Sequence, residues 1–170
     1  MLKLLKSTDN FLKEVLPDFD FDNPVINPLT LEEEMVKLMA EENGIGLAAS
    51  QVGVNARVFV MHLKNMPEVY TPFALFNPVI ISASSEQVED EEGCLSFPGL
   101  FFKVKRPKTI VVEFLDRNKK SYILTLEGID ARCFLHELDH LNGVCFTDRI
   151  SKLKLDLAIK KQRKRYGRTK

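Results

Sequence analysis

The sequence predicts an α+β protein, because strand-like runs follow one another through its middle and a helix with apolar residues on nearly every side comes after them. Residues 57–63, 74–82, 100–104, 109–115 and 121–126 are rich in β-branched and aromatic side chains. Succession without intervening helices points to antiparallel pairing. At 170 residues the chain is expected to be one compact domain with a proper core. A buried helix beside antiparallel sheet is expected, with a further helix at the C-terminus.

Taken in order, residues 9–16 suit a short helix stopped by Pro17, and 18–28 read as an extended loop. Thr30-Leu31-Glu32-Glu33 has the form of a capping box. Leu31, Met35, Leu38 and Met39 then make one apolar stripe of a helix over 31–42. Gly44-x-Gly46-x-x-Ala49 superficially fits a dinucleotide fingerprint. That motif needs a strand before it and a helix after it, whereas this one follows a helix and precedes a strand-like run. The better reading is a tight turn whose small residues admit a close neighbour, with Gln51 as a placed amide. Pro78 marks an edge or bulge in its strand. Residues 87–92, with four carboxylates, read as a solvated turn, and 116–120 as a hairpin connection.

The stretch with most chemistry is Phe134-Leu135-His136-Glu137-Leu138-Asp139-His140, which holds two of the three histidines. On an α-helix, residues four apart are offset by about 40° and rise by about 6 Å. His136 and His140 therefore leave one face and can share a metal, with Glu137 beside them as a base. Asp130 suits the N-cap and Gly143 the position just past the end.

A catalytic site of this kind needs a third ligand. His62 alternates within a strand and reads as structural or exposed; Cys133 and Cys145 read as core, where free cysteine is a small hydrophobe. Cys94 sits in a Gly-flanked turn from which a thiolate can turn towards a metal. The residues by themselves leave the choice open between Cys94 and the carboxylates.

Bulk composition excludes several classes. No apolar run approaches the roughly 20 residues that span a bilayer. The start, Met1-Leu2-Lys3-Leu4-Leu5-Lys6, lacks the longer apolar core of a signal peptide. Three cysteines without close pairing fit a reducing compartment, so a cytoplasmic location is expected. The net charge of zero hides an asymmetry: residues 151–170 carry nine Lys/Arg and one Asp, a balance of +8, against −8 over the rest. A basic helix over 148–163 is expected there, and its run of cations suits phosphate binding.

Three separated segments, Gly44-Ile45-Gly46-Leu47-Ala48-Ala49-Ser50-Gln51, Glu92-Gly93-Cys94-Leu95-Ser96 and His136-Glu137-Leu138-Asp139-His140, together resemble the signature motifs of the peptide deformylases. The resemblance covers roughly residues 1–149. It implies a compact α+β catalytic domain over 1–150, its metal-binding central helix packed among twisted antiparallel sheets, with 151–170 a basic C-terminal helix or tail of the same domain. The implied activity is hydrolysis of the N-formyl group from the N-terminal formylmethionine of nascent chains, releasing formate. One divalent metal is implied, Fe(II) natively and Zn or Ni as isolated, held by Cys94, His136 and His140. Glu137 matches the general acid/base for the attacking water. Gln51 and the backbone N–H of Leu95 match the donors to the formyl oxygen. Gly44, Ile45, Gly46, Ile129 and Cys133 match substrate-binding positions. Glu92 and Arg106 match a structural ion pair, and Asp139 either holds Arg106 or orients a ligand histidine. The expected partners are N-formylmethionyl peptides and, through the basic tail, the ribosome; a monomer without membrane contact is expected.

The sequence departs from the family pattern at three places. Leu135 stands where glutamine is common, and Asp90 and Arg132 stand where apolar neighbours of the methionine pocket are expected. A zinc metalloprotease is the nearest alternative, but no histidine follows His140 to complete its ligands.

Overall fold

The strands expected in the middle of the chain form two separate sheets. The computed structural model describes residues 2–65 and 71–166, with side chains as far as residue 164. Between the strand-like runs at 57–63 and 74–82 the sequence predicts a loop over 65–72; that loop and the end of the basic tail lie largely outside the described residues. Five strands, β1 (Gly46–Ala48), β2 (Val58–Met61), β3 (Phe73–Ala83), β6 (Thr109–Leu115) and β7 (Ser121–Glu127), pair antiparallel in the order β1-β2-β3-β6-β7. The other two, β4 (Gln87–Gly93) and β5 (Phe101–Pro107), form a ribbon of their own.

β4 corrects the sequence reading, which made 87–92 a turn. Its side chains are nearly all exposed, so it carries no apolar alternation to betray it. Only pairing with β5, from Gln87↔Pro107 to Gly93↔Phe101, makes it a strand. In β3 the register breaks between Phe76 and Val79, where Pro78 brings no N–H to the ladder. Asn77 sits there at φ 49 and exchanges two hydrogen bonds with the Phe19 backbone, 2.6 and 3.0 Å, which hold the bulge.

Helix α1 (Pro28–Glu41) begins earlier than the expected capping box. Asn27 is the N-cap, its side chain accepting from Leu29 and Thr30, and Pro28 takes the first turn, where its missing donor costs nothing. Leu31, Met35 and Met39 are its buried stripe, packed towards the sheet. The helix expected over 9–16 is only a 3₁₀ turn, Asn10–Lys13.

Helix α2 (Ile129–Leu141) is buried from Asp130 to Leu141, as its all-round apolar character implies. Its N-cap is Gly128 at φ 60, not Asp130. Asp130 instead accepts from the backbone amides of Lys64 and Asn65, 2.7 and 2.9 Å, and anchors the chain leaving β2. Phe134 meets Phe59 of β2 edge-to-face, and Leu135 and Leu138 join the core. Asn142 closes the helix and Gly143 follows at φ 70, packed so closely against the Lys13 carbonyl that a Cβ would clash. Helix α3 (Lys152–Tyr166) starts a few residues later than expected and is largely exposed. None of the helices is long and apolar enough to cross a membrane among the described residues.

Candidate metal centre and active site

Six polar residues of α2 are buried: Asp130, Arg132, His136, Glu137, Asp139 and His140. Burying even a neutral polar group without a partner costs about 2–7 kcal/mol, and a charged one far more. Their partners therefore show what the helix is for. His136 Nδ1 faces Glu92 Oε2 at 3.0 Å, which leaves Nε2 pointing away as a ligand. His140 Nε2 lies 3.2 Å from Cys94 Sγ. One ligand atom from each of Cys94, His136 and His140 can be chosen so that all lie within 4.8 Å of one another. The three come from the turn after β4 and from two successive turns of α2.

Two buried side-chain atoms among the described residues lack a hydrogen-bond partner, Glu137 Oε2 and His140 Nδ1. Both belong to this cluster. Burial first, and then the His136 cation, push His140 well below the usual histidine range, so its ring is neutral with a lone pair to give. His136 behaves oppositely. Burial would lower it, but Cys94 and Glu92 overcome that and raise it to about 10, so a proton occupies the position that suits a cation. A soft thiolate with two imidazoles is a donor set for Zn, Fe or Ni rather than for Mg or Ca. The residues fit a divalent metal.

Glu92 is also the hub of an ionic chain. Arg106 grips it in a two-pronged pair, 2.9 Å on each oxygen, and reaches Asp139 at 2.6 Å. Arg149, missed in the sequence, holds Asp139 from the other side. Asp139 thus holds the two arginines, and the ligand His136 is oriented by Glu92. Burial opposes the charge on Glu92, but the bonds from Arg106 and His136 outweigh it and lower its carboxyl to about 2.

Gln51 sits in the 3₁₀ turn Ala49–Val52, 1% exposed. Its Oε1 accepts from the Ala48 amide at 2.8 Å, which turns Nε2 towards Cys94 Sγ at 3.4 Å and Ser96 Oγ at 3.3 Å. Ser96, buried and holding this amide, is a second residue whose part was not foreseen. Ser50 ties the same turn to the end of α2 through the His140 carbonyl, 3.2 Å.

A cleft of about 440 Å³ opens onto the cluster, within the range of small-ligand sites. All five expected substrate-binding residues, Gly44, Ile45, Gly46, Ile129 and Cys133, line it, together with Leu95, Gln51, His136 and Glu137. His140 lies behind this wall. Phe101, unforeseen, lines it as well, its ring lying over Gly93 where a Cβ would meet it at 2.6 Å. Of the three departures, Leu135 packs in the core, Asp90 is exposed off the cleft, and Arg132 does line it. Burial pushes the Cys133 thiol well up, so it is a neutral wall atom, and its Sγ faces the Ile45 carbonyl at 3.5 Å. His62 is outside the cluster, beside Lys64 at 3.0 Å, and Cys145 is core, as expected.

The family model described as Polypeptide deformylase matches residues 1–156. The chain belongs to the peptide deformylase family. The peptide deformylase of Rhizobium meliloti (strain 1021) is 44% identical over 131 residues, 77% of this chain and 75% of that protein. The crystal structure of peptide deformylase from Ehrlichia chaffeensis superposes with a TM-score of 0.85 at 35% identity, covering 99% of this chain and 98% of that one. A Met-Ala-Ser-bound class I type b peptide deformylase from Acinetobacter baumannii gives 0.79 at 31% identity, over 88% and 98%. This deformylase is therefore an enzyme, a hydrolase with an α+β fold, and Cys94, His136 and His140 are the group able to hold the metal on which its family depends.

Proposed function

We propose that the enzyme removes the N-formyl group from formylmethionine at the start of nascent polypeptides, with one divalent metal held by Cys94, His136 and His140. The observation that carries the reading is the buried, unpartnered Glu137 Oε2 beside three converging ligands at the end of a partly apolar cleft. A metal held there supplies a Lewis acid that brings the pKa of a bound water from about 15.7 towards about 7. Burial raises the Glu137 carboxyl to about 7, with Glu92 and Asp139 adding to the rise and His136 and Arg106 opposing it. A base near the working pH takes a proton well and gives it back well. Glu137 accepts the proton of the attacking water and returns it to the amine that leaves as formate separates. Gln51 Nε2 and the Leu95 amide donate to the formyl oxygen as negative charge builds on it. Ile45, Ile129 and Cys133 form the wall for the methionine side chain.

Iron(II) is the native metal in this reading, replaced by Zn or Ni in aerobic isolation. The protein works as a cytoplasmic monomer, and the exposed basic α3 contacts the ribosome, so that 151–170 serves the same domain as 1–150. The test is to supply formyl-Met-Ala-Ser and unformylated Met-Ala-Ser to protein loaded in turn with Fe(II), Ni(II) and Zn(II). Formate from the first and no cleavage of the second supports the reading; cleavage of the internal peptide bonds supports a metalloprotease instead.

A further inference from the structure

The cysteine and histidine ligands come from parts of the fold that share no sheet. Cys94 directly follows β4, in a ribbon of two strands, whereas both histidines stand on α2, packed on the five-stranded sheet. A two-stranded ribbon is marginally stable by itself. The position of Cys94 therefore depends on how the ribbon is fastened to α2.

Besides the His136–Glu92 bond at the ligand itself, two arginines fasten it. Arg106 of β5 reaches Asp139 near the end of α2. Arg132, in the first turn of α2 and 6% exposed, reaches the ribbon in the opposite direction. Its Nη2 donates to the Val88 carbonyl at 2.8 Å, and its Nη1 to the Val104 carbonyl at 2.8 Å, the Glu92 carboxylate at 2.7 Å and the Asp90 carbonyl at 3.3 Å. Asp90 and Val104 face each other across the ladder, so one nitrogen holds both strands. The two fastenings are seven residues apart on α2, about 10 Å along its axis. One alone is a pivot; two fix an orientation.

We propose that Arg132 is a positioning residue for the Cys94 ligand: it clamps the β4–β5 ribbon to α2 and so sets the distance from the thiolate to the two histidines. The inference rests on the metal reading given above. Neutralising Glu92 does not require Arg132, because Arg106 already pairs with both its oxygens. Three of the four bonds from Arg132 go to uncharged carbonyls, which call for its fork of donors rather than its charge. Metal–ligand distances tolerate only about 0.2 Å. A ribbon free to swing would lose the thiolate before it lost the fold.

The test is titration of the full-length protein with Co(II), following the thiolate-to-cobalt absorption, for wild type, Arg132→Met and Arg132→Lys. Arg132→Met is expected to weaken Co(II) binding by about 10–100-fold, the range for groups supporting metal ligands, and to reduce the thiolate band at saturation. Amide exchange should quicken in β4 and β5 while α2 stays protected. Arg132→Lys keeps the charge and loses the fork, so it should not restore binding; it also serves if the methionine variant does not fold. Wild-type affinity and spectrum in Arg132→Met, or full restoration by Arg132→Lys, overturns the proposal and leaves the metal reading intact. A wild type that binds Co(II) without a thiolate band overturns both.

Discussion

Gly46→Ala isolates the base from the metal. An added Cβ would stand 2.8 Å from Cys133 Sγ and 2.9 Å from Glu137 Cδ, short by about 0.6 and 0.5 Å of the 3.4 Å where ordinary contact begins. Neither neighbour can step aside into solvent, since Cys133 is 5% and Glu137 4% exposed. Nor can β1 retreat freely, because Gly46 is paired with Met61 of β2. The strain should cost about 1–3 kcal/mol of stability, the usual range for overpacking. Displacing Glu137 by a sizeable fraction of an ångström should lower kcat by about 10²-fold. The three atoms nearest the added methyl belong to Glu137 and Cys133 rather than to a metal ligand, so metal content should stay at one per chain. The assay is formate release from a formyl-Met peptide beside metal analysis and thermal unfolding. A folded Gly46→Ala protein with kcat within about threefold of wild type would refute the placement of Glu137 as the base; one that had lost its metal would show that the two parts are not separable.

Gln51→Ala removes a donor held in place by the Ala48 amide, and kcat should fall by about 10²–10³-fold; the buried Ala48 amide loses its acceptor, so stability should drop by about 1–3 kcal/mol, read from the same formate assay and a melting curve. Stripping the metal with a chelator should abolish turnover. It should also lower Tm by about 5–10 °C relative to protein with metal at about 100 times its Kd, as calorimetry would show. Lys160→Glu/Lys161→Glu/Lys164→Glu on the exposed side of α3 should weaken co-sedimentation with ribosomes at low salt and leave kcat/KM on small peptides unchanged.

Much of the site was legible because its chemistry is local. His136, Glu137 and His140 need only the period of a helix to converge, and Gly143 only the turn that ends one. Residues 109–115 show their alternation directly, and β6 occupies that range. β4 was illegible because its exposed acidic side chains say loop, while its existence depends on β5. Arg132 misled for a related reason. A cation at a pocket position looks like a polar intrusion until the carbonyls of Val88, Asp90 and Val104 are seen around it. Asp130 looked like a cap but secures a distant loop, and Arg149 gave no sign of its hold on Asp139 ten residues before it. Each miss depends on backbone atoms or on a partner in another element, which side-chain patterns do not display.

The most direct measurement is formate release from formyl-Met-Ala-Ser by anaerobically prepared, Fe(II)-loaded wild type and by Glu137→Gln with the same metal content. The account predicts rapid release by the wild type and a rate lower by about 10²–10⁴-fold in the variant, the range for losing a general acid/base. A variant as fast as the wild type, or equal release by metal-free protein, would contradict it.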